Sequence, residues 1–149
     1  MKTIILYASS HHGNTQKVAQ AMAEELNAQL VDLTRESAPD LTGYDLIGVA
    51  SGIYYGKPHS AADRFLAQAV PAAAGQKAFA VCTSGAKKQK YAEMLEKRLA
   101  DKGYTCVGGF WCQGYDTFGP FKLVGGIAKG HPNEEDLSRA RAFAKGLCQ

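Results

Sequence analysis

Residues 3–26 read TIILYASSHHGNTQKVAQAMAEEL. The first part, Thr3–Ala8, carries no charge and is apolar at almost every position. That is the mark of a strand covered on both faces, since a half-exposed strand would alternate. From Thr15 onward the apolar residues change period. Val18, Ala19, Met22, Ala23 and Leu26 fall on one face of a helix. Between them Ser9-Ser10-His11-His12-Gly13-Asn14-Thr15 joins the end of the strand directly to the helix N-terminus. A doubly covered strand running at once into an amphipathic helix is the opening half of a βαβ unit.

The pattern repeats along the chain. Further strands are predicted at Gln29–Leu33, Asp45–Ala50, Lys77–Cys82 and Tyr104–Cys112. Ser60 and Asp63 resemble a capping box opening a helix with Ala62, Phe65, Leu66, Ala69 and Val70 on its apolar face. Tyr91, Met94, Leu95 and Leu99 mark the next helix, closed by Gly103. Asn133 caps the last, whose buried face is Leu137, Ala140, Phe143, Ala144 and Leu147. Pro39, Asp40 and Gly43 punctuate the link between the second and third strands, leaving room for only a very short helix. Alternating strands and helices predict an α/β fold with a parallel sheet covered on both faces. Such sheets bind ligands at the carboxyl ends of their strands, here the loops 9–15, 51–59, 83–88 and 112–132.

The 149 residues are 46% apolar and 21% charged, which fits one globular domain over residues 1–149. No run approaches the ~20 apolar residues of a membrane span, and the apolar N-terminal stretch is better read as a strand than as a signal peptide. Cys82, Cys106, Cys112 and Cys148 form no CxxC pair and are expected to be reduced thiols in a cytoplasm. The net charge of +3 divides into −2 for residues 1–75 (5 basic, 7 acidic) and +5 for residues 76–149 (12 basic, 7 acidic). Lys87, Lys88 and Lys90 are the strongest basic cluster, too small for a nucleic-acid footprint.

The first loop is built to hold an anion. Backbone N–H groups at a helix N-terminus point outward with the helix dipole behind them. Ser10 and Thr15 offer hydroxyls, Asn14 an amide, His11 and His12 backbone donors, and Gly13 allows close approach. The loop has no lysine or arginine, so the anion would meet mainly neutral dipoles. Other phosphate-binding and phosphoryl-transfer motifs fail. Gly52-Ile-Tyr-Tyr-Gly56-Lys57-Pro58 is one residue short of a Walker A loop and has proline where a hydroxyl is needed. No GxGxxG follows a strand, and Ala8-Ser9-Ser10 lacks the acidic pair of a receiver domain. Cys82 followed by Lys88 lacks the arginine of a phosphotyrosine phosphatase loop. The histidines have no third ligand in register, so no metal site is expected.

Ser10-x-x-Gly13-Asn14-Thr15, with Ala19 following, resembles the FMN-phosphate loop of flavodoxins, and the element order resembles that superfamily along the whole chain. His12 departs from the usual hydroxyl residue, and Tyr7 is displaced from the usual aromatic position. The resemblance implies a flavodoxin-like three-layer α/β/α sandwich with five parallel strands in the order 2-1-3-4-5. It implies bound FMN, and one-electron transfer between redox proteins such as a reductase or an iron–sulfur protein. An electron carrier is expected, monomeric and without catalytic residues of its own. By the same resemblance Gly52, Ile53, Tyr54, Tyr55 and Gly56 wall the isoalloxazine with an aromatic stack, and Thr83, Ser84, Gly85 and Ala86 face its pyrimidine edge. Tyr115, in the aromatic loop after the fifth strand, is a candidate cover. The stretch Ile53–Ala61 also resembles menaquinone-dependent protoporphyrinogen oxidase. An FMN-dependent quinone or protoporphyrinogen oxidoreductase is therefore the alternative, and a phosphate-binding module without flavin the third reading.

Overall fold

The computed structural model describes residues 1–9, 13–68, 71–86, 89–115 and 127–148. Strands β1 (Thr3–Ala8), β2 (Gln29–Asp32), β3 (Leu46–Tyr54), β5 (Lys77–Ser84) and β6 (Thr105–Gln113) pair in parallel in the order β2-β1-β3-β5-β6. Setting aside the two-residue β4 (Lys57–Pro58), this is the expected 2-1-3-4-5 order. Helices α1 (Asn14–Leu26), α2 (Ser60–Gln68), α3 (Gln89–Asp101) and α4 (Glu134–Leu147) cover the sheet.

The side-chain period of two sorts the strands into two apolar layers. Ile4, Leu6, Ile47, Val49, Ala78 and Ala80 pack with Leu66, Leu95 and Leu99 of α2 and α3. Ile5, Tyr7, Leu46, Ala50, Phe79 and Val81 pack with Val18 and Met22 of α1 and Ala140 and Ala144 of α4. Gly48 is bare because the Phe79 ring lies across it: a Cβ there would stand 2.3 Å from Phe79 Cζ.

Three local expectations are corrected. Residues 33–45 contain no helix, however short. Asp32 accepts from the Thr34 N–H and hydroxyl, and Asp40 does the same for Thr42, so the chain turns on side-chain bonds instead. Those bonds hold the Asp40 carboxyl below the usual carboxylate range.

The third strand does not stop at Ala50 but runs to Tyr54 and returns antiparallel through β4, with Tyr54 opposite Lys57 and Ile53 opposite Pro58. The two turn residues, Tyr55 at φ 51° and Gly56 at φ 74°, are both left-handed. That is the signature of the tight hairpin turn whose twist matches its strands. Finally, α2 is capped one residue earlier than expected. His59, not Ser60, closes its N-terminus. The His59 carbonyl accepts from the Asp63 N–H at 2.9 Å, and Nδ1 accepts from the Ala61 N–H at 3.0 Å. The Asp63 carboxylate instead takes Arg98 of α3.

Candidate functional site

A cleft opens at the carboxyl ends of β1, β3, β5 and β6. Ser9, Asn14, Thr15, Gly52, Ile53, Tyr54, Thr83, Ser84, Gly85, Gly114 and Tyr115 line it. It gathers residues from all four loops at the point where the strand order reverses, with β1 and β3 adjacent at its centre.

The first wall is the N-terminus of α1. Gly13 takes the cap position in the left-handed conformation, φ 68° and ψ 27°, and offers no side-chain acceptor to the first-turn N–H groups. No acidic residue sits in that turn. Among the described residues nothing caps these N–H groups, so the helix turns its N–H dipoles toward the cleft. Thr15 is 1% exposed, and its hydroxyl shares a 2.8 Å hydrogen bond with the Thr83 hydroxyl of β5. Asn14 reaches 101 residues along the chain and donates from Nδ2 to the Tyr115 carbonyl at 2.8 Å. The other end of that amide, Oδ1, is buried without a hydrogen-bond partner among the described residues. A buried acceptor left unpaired is costly, and such atoms in folded proteins call for a ligand or water.

The second wall is the β3–β4 hairpin. Tyr54 folds back over Gly52, where a Cβ would meet the tyrosine hydroxyl at 2.6 Å. The Tyr54 ring stands edge-on to His59, centroids 5.6 Å apart at 78°. Tyr55, at the turn, is 72% exposed. Of the two tyrosines, Tyr54 covers the cleft and Tyr55 projects from it.

The third wall joins the ends of β5 and β6. The Gly114 N–H donates to the Ser84 carbonyl at 2.9 Å and Gln113 Nε2 to the Gly85 carbonyl at 3.2 Å. The Ser84 hydroxyl turns back to the Ala86 carbonyl. Gly114 is bare because Asn14 lies against it, a Cβ there standing 2.6 Å from Asn14 Nδ2. Behind this wall the Tyr115 N–H donates to the His131 carbonyl at 2.8 Å. His131 Nδ1 lies 2.6 Å from Asp136, which closes a capping box with Asn133 at the start of α4.

The structure thus brings together Asn14, Thr15, Gly52, Ile53, Tyr54, Thr83, Ser84, Gly85 and Tyr115 from the predicted set. Gly13, Tyr55, Gly56 and Ala86 flank the cleft in sequence without lining it. Ser10, His11 and His12, together with Lys87, Lys88 and most of the loop after Tyr115, lie outside the described residues. Sequence reasoning placed Ser9, Gly114 and His59 within the candidate loops but singled out none of them as a site residue. Ser9 and Gly114 each sit at a strand's carboxyl end, and that position was the signal available for both. For His59 it was a polar residue between Pro58 and a helical run.

Cys82 is fully buried among apolar side chains, and burial pushes its thiol far up, so it is a protonated core residue rather than a nucleophile. Among the described residues no group of three or more His, Cys, Asp or Glu is placed to hold a metal ion. Nor is any helix there long and apolar enough to cross a membrane. A larger cavity, about 650 Å³, lies between residues 33–41 and α2. It has volume without convergence: its lining begins at Leu33, just past β2, and takes no residue from a strand or from the four loops.

The profile of a family described as flavodoxin domain matches residues 4–123. An uncharacterized protein of Methanocaldococcus jannaschii is 43% identical over 149 residues, covering 99% of this chain and 98% of its own. The crystal structure of oxidised flavodoxin 2 from Bacillus cereus superposes with a TM-score of 0.76 at 22% identity, over 99% of this chain and 98% of that one. An NAD(P)H:quinone oxidoreductase from Methanothermobacter marburgensis superposes with a TM-score of 0.72 at 16% identity, over 100% and 98%.

Proposed function

The chain belongs to the flavodoxin domain family, a flavodoxin-like flavin protein, and on that premise we propose that it binds FMN in this cleft and carries electrons between redox proteins. The observation that carries this reading is the buried Asn14 Oδ1, without a hydrogen-bond partner among the described residues, beside a helix N-terminus that no described side chain caps. The two needs are chemically different: the N–H dipoles of α1 call for an anion, and Oδ1 calls for a neutral donor. A sugar-alcohol phosphate satisfies both, with its phosphate toward residues 10–15 and a hydroxyl toward Asn14. A free phosphate satisfies only the first.

Bound FMN would supply the electron-transfer chemistry. The protein's part is binding and access. Tyr54 offers a flat face for a flat ring. The backbone of Thr83–Gly85 offers donors to the polar edge, and Gly52, Ile53, Tyr55 and Gly56 complete the hairpin that holds Tyr54. The Thr15–Thr83 hydrogen bond locks the phosphate side of the site to the ring side. Lys57 is exposed beside the hairpin, so an acidic redox partner, a reductase or iron–sulfur protein, is the expected docking surface. We place the protein in the cytoplasm as a monomeric single domain.

The test is an FMN titration of the purified protein, followed by absorbance. Gly13→Val removes the left-handed cap and Asn14→Asp sets a negative charge beside a phosphate. Both should weaken binding, and wild-type affinity in both removes this loop from the site. Turnover of NAD(P)H or a porphyrinogen with a quinone and no partner protein would replace the carrier reading by that of an FMN-dependent oxidoreductase.

A further inference from the structure

We propose that His59 is a positioning residue that ties the Tyr54 hairpin to helix α2 through the neutral form of its ring, so that protonation of His59 weakens flavin binding. The inference rests on the FMN reading above for its ligand, and on the hydrogen bonds of this chain for its mechanism.

Four contacts place His59 at the junction of two elements. Its N–H donates to the Ser51 hydroxyl at 2.8 Å and to the Gly52 carbonyl at 3.2 Å, which fastens the returning arm of the hairpin to β3. Its ring packs edge-on to Tyr54. Its Nδ1 accepts from the Ala61 N–H at 3.0 Å, capping α2. Ala61 and Ala62 in turn pack on Ala8, the last residue of β1 before the anion loop. One side chain therefore touches the ring platform, while the helix it caps buttresses the end of β1.

A nitrogen that accepts a hydrogen bond carries no proton, so the neutral ring holds its hydrogen on Nε2. Adding a proton at Nδ1 sets two donors against each other across the 3.0 Å contact to Ala61. It also places a cation at the positive end of the α2 dipole. Both effects release the cap, and the ring must turn away from Ala61 and from Tyr54. Among the described residues, the charged and titratable groups on the surrounding elements are Tyr54 of β3, Lys57 of β4, and Asp63 and Arg64 of α2, with Arg98 of α3 holding Asp63. The Asp63 carboxylate is engaged by Arg98 and is not a counter-ion reserved for an imidazolium.

The sign follows from competition. FMN binds the form with the cap intact, so protons and FMN oppose each other and the Kd rises as pH falls through the range in which histidines titrate, about pH 5–8. Loss of one helix cap corresponds to about a fivefold change in an equilibrium constant. The experiment measures the FMN Kd from pH 8 to pH 5 for the wild type and for His59→Asn. Asparagine can cap a helix without titrating. The phosphate of FMN and the remaining histidines titrate equally in both proteins, so the difference in slope isolates His59. The expected result is a wild-type Kd that rises about fivefold more than that of His59→Asn. A second measurement needs no flavin: in NMR spectra the Ala61 amide should titrate with the same midpoint as the His59 ring. Equal pH slopes in the two proteins, with FMN bound by both, overturn this inference and leave the flavin reading standing. An Ala61 amide that does not follow the His59 ring also overturns it. FMN binding absent at every pH overturns the flavin reading and this inference with it.

Discussion

Gly114→Ala tests the approach on which the cleft depends. Its Cβ would stand 2.6 Å from Asn14 Nδ2, 2.7 Å from Cγ and 2.8 Å from Cβ. Turning the amide aside does not clear this, because Asn14 Cβ is rooted in the first turn of α1. Either α1 or the end of β6 must move. Overpacking of this kind costs about 1–3 kcal/mol. The Asn14–Tyr115 hydrogen bond lost with it contributes about 0.5–1.5 kcal/mol. Together the variant should be less stable by about 2–4 kcal/mol, a fall in Tm of roughly 5–15 °C for a chain of this size. Its FMN affinity should fall about tenfold if only ~1.4 kcal/mol of the strain falls on the anion loop. Urea unfolding gives the first number and FMN titration the second. Gly146→Ala is the control: nothing lies within 4 Å of a Cβ there, and it sits in α4. It should be neutral or stabilising by up to ~1 kcal/mol. A Gly114→Ala protein within about 0.5 kcal/mol of wild type, binding FMN as tightly, would refute the packing of Asn14 against Gly114 and the site built on it.

Thr83→Val removes the partner of a buried Thr15 hydroxyl without changing shape, and urea unfolding should show a loss of about 1–3 kcal/mol that Thr83→Ser restores. Tyr54→Ala should raise the FMN Kd about 2- to 13-fold, the loss of a 0.5–1.5 kcal/mol ring contact. Tyr55→Ala should leave the Kd near its wild-type value, so fluorescence quenching of FMN by each variant separates the two. The third concerns Asp136. Burial pushes its carboxyl up, but the Asn133 N–H, His131 and Arg139 outweigh that and hold it below the usual range. A folded value below the unfolded one means stabilisation that is present above about pH 4 and lost as pH falls through the folded value. Asp136→Asn should therefore be less stable than wild type at pH 7, by about 1.5–3 kcal/mol for its charge-assisted bonds. The gap should close at acid pH in urea titrations.

The reach of the sequence can be followed residue by residue. Burial is a local property written in period. Thr3–Ala8 reads as a doubly covered strand and Val18–Leu26 as a helix face because each residue's surroundings repeat every two or 3.6 positions. The loop Ser9–Thr15 is legible for the same reason: it lies between two such signals, and a helix N-terminus attracts anions whatever surrounds it. Hence the α/β class, the parallel sheet and the position of the cleft at the strand ends follow from the chain alone. What period cannot carry is which loops meet. Asn14 finds Tyr115, and Thr15 finds Thr83, because the strand order sets β5 and β6 beyond β3. The bareness of Gly114 and Gly52 has meaning only once Asn14 and Tyr54 lie against them. β3 runs past the end of its apolar stretch because Ser51 and Gly52, still buried, go on pairing with β1 and β5, and the turn at Tyr55–Gly56 then pairs Ile53 and Tyr54 with Pro58 and Lys57. His59 caps α2 in place of Ser60 for a similar reason. Ser51 and Gly52 already hold its backbone, so its ring is the acceptor that reaches Ala61. Local burial was written in the sequence; the partners were decided by tertiary structure, because a hydrogen bond or a close approach between distant residues exists only after the sheet has set their separation.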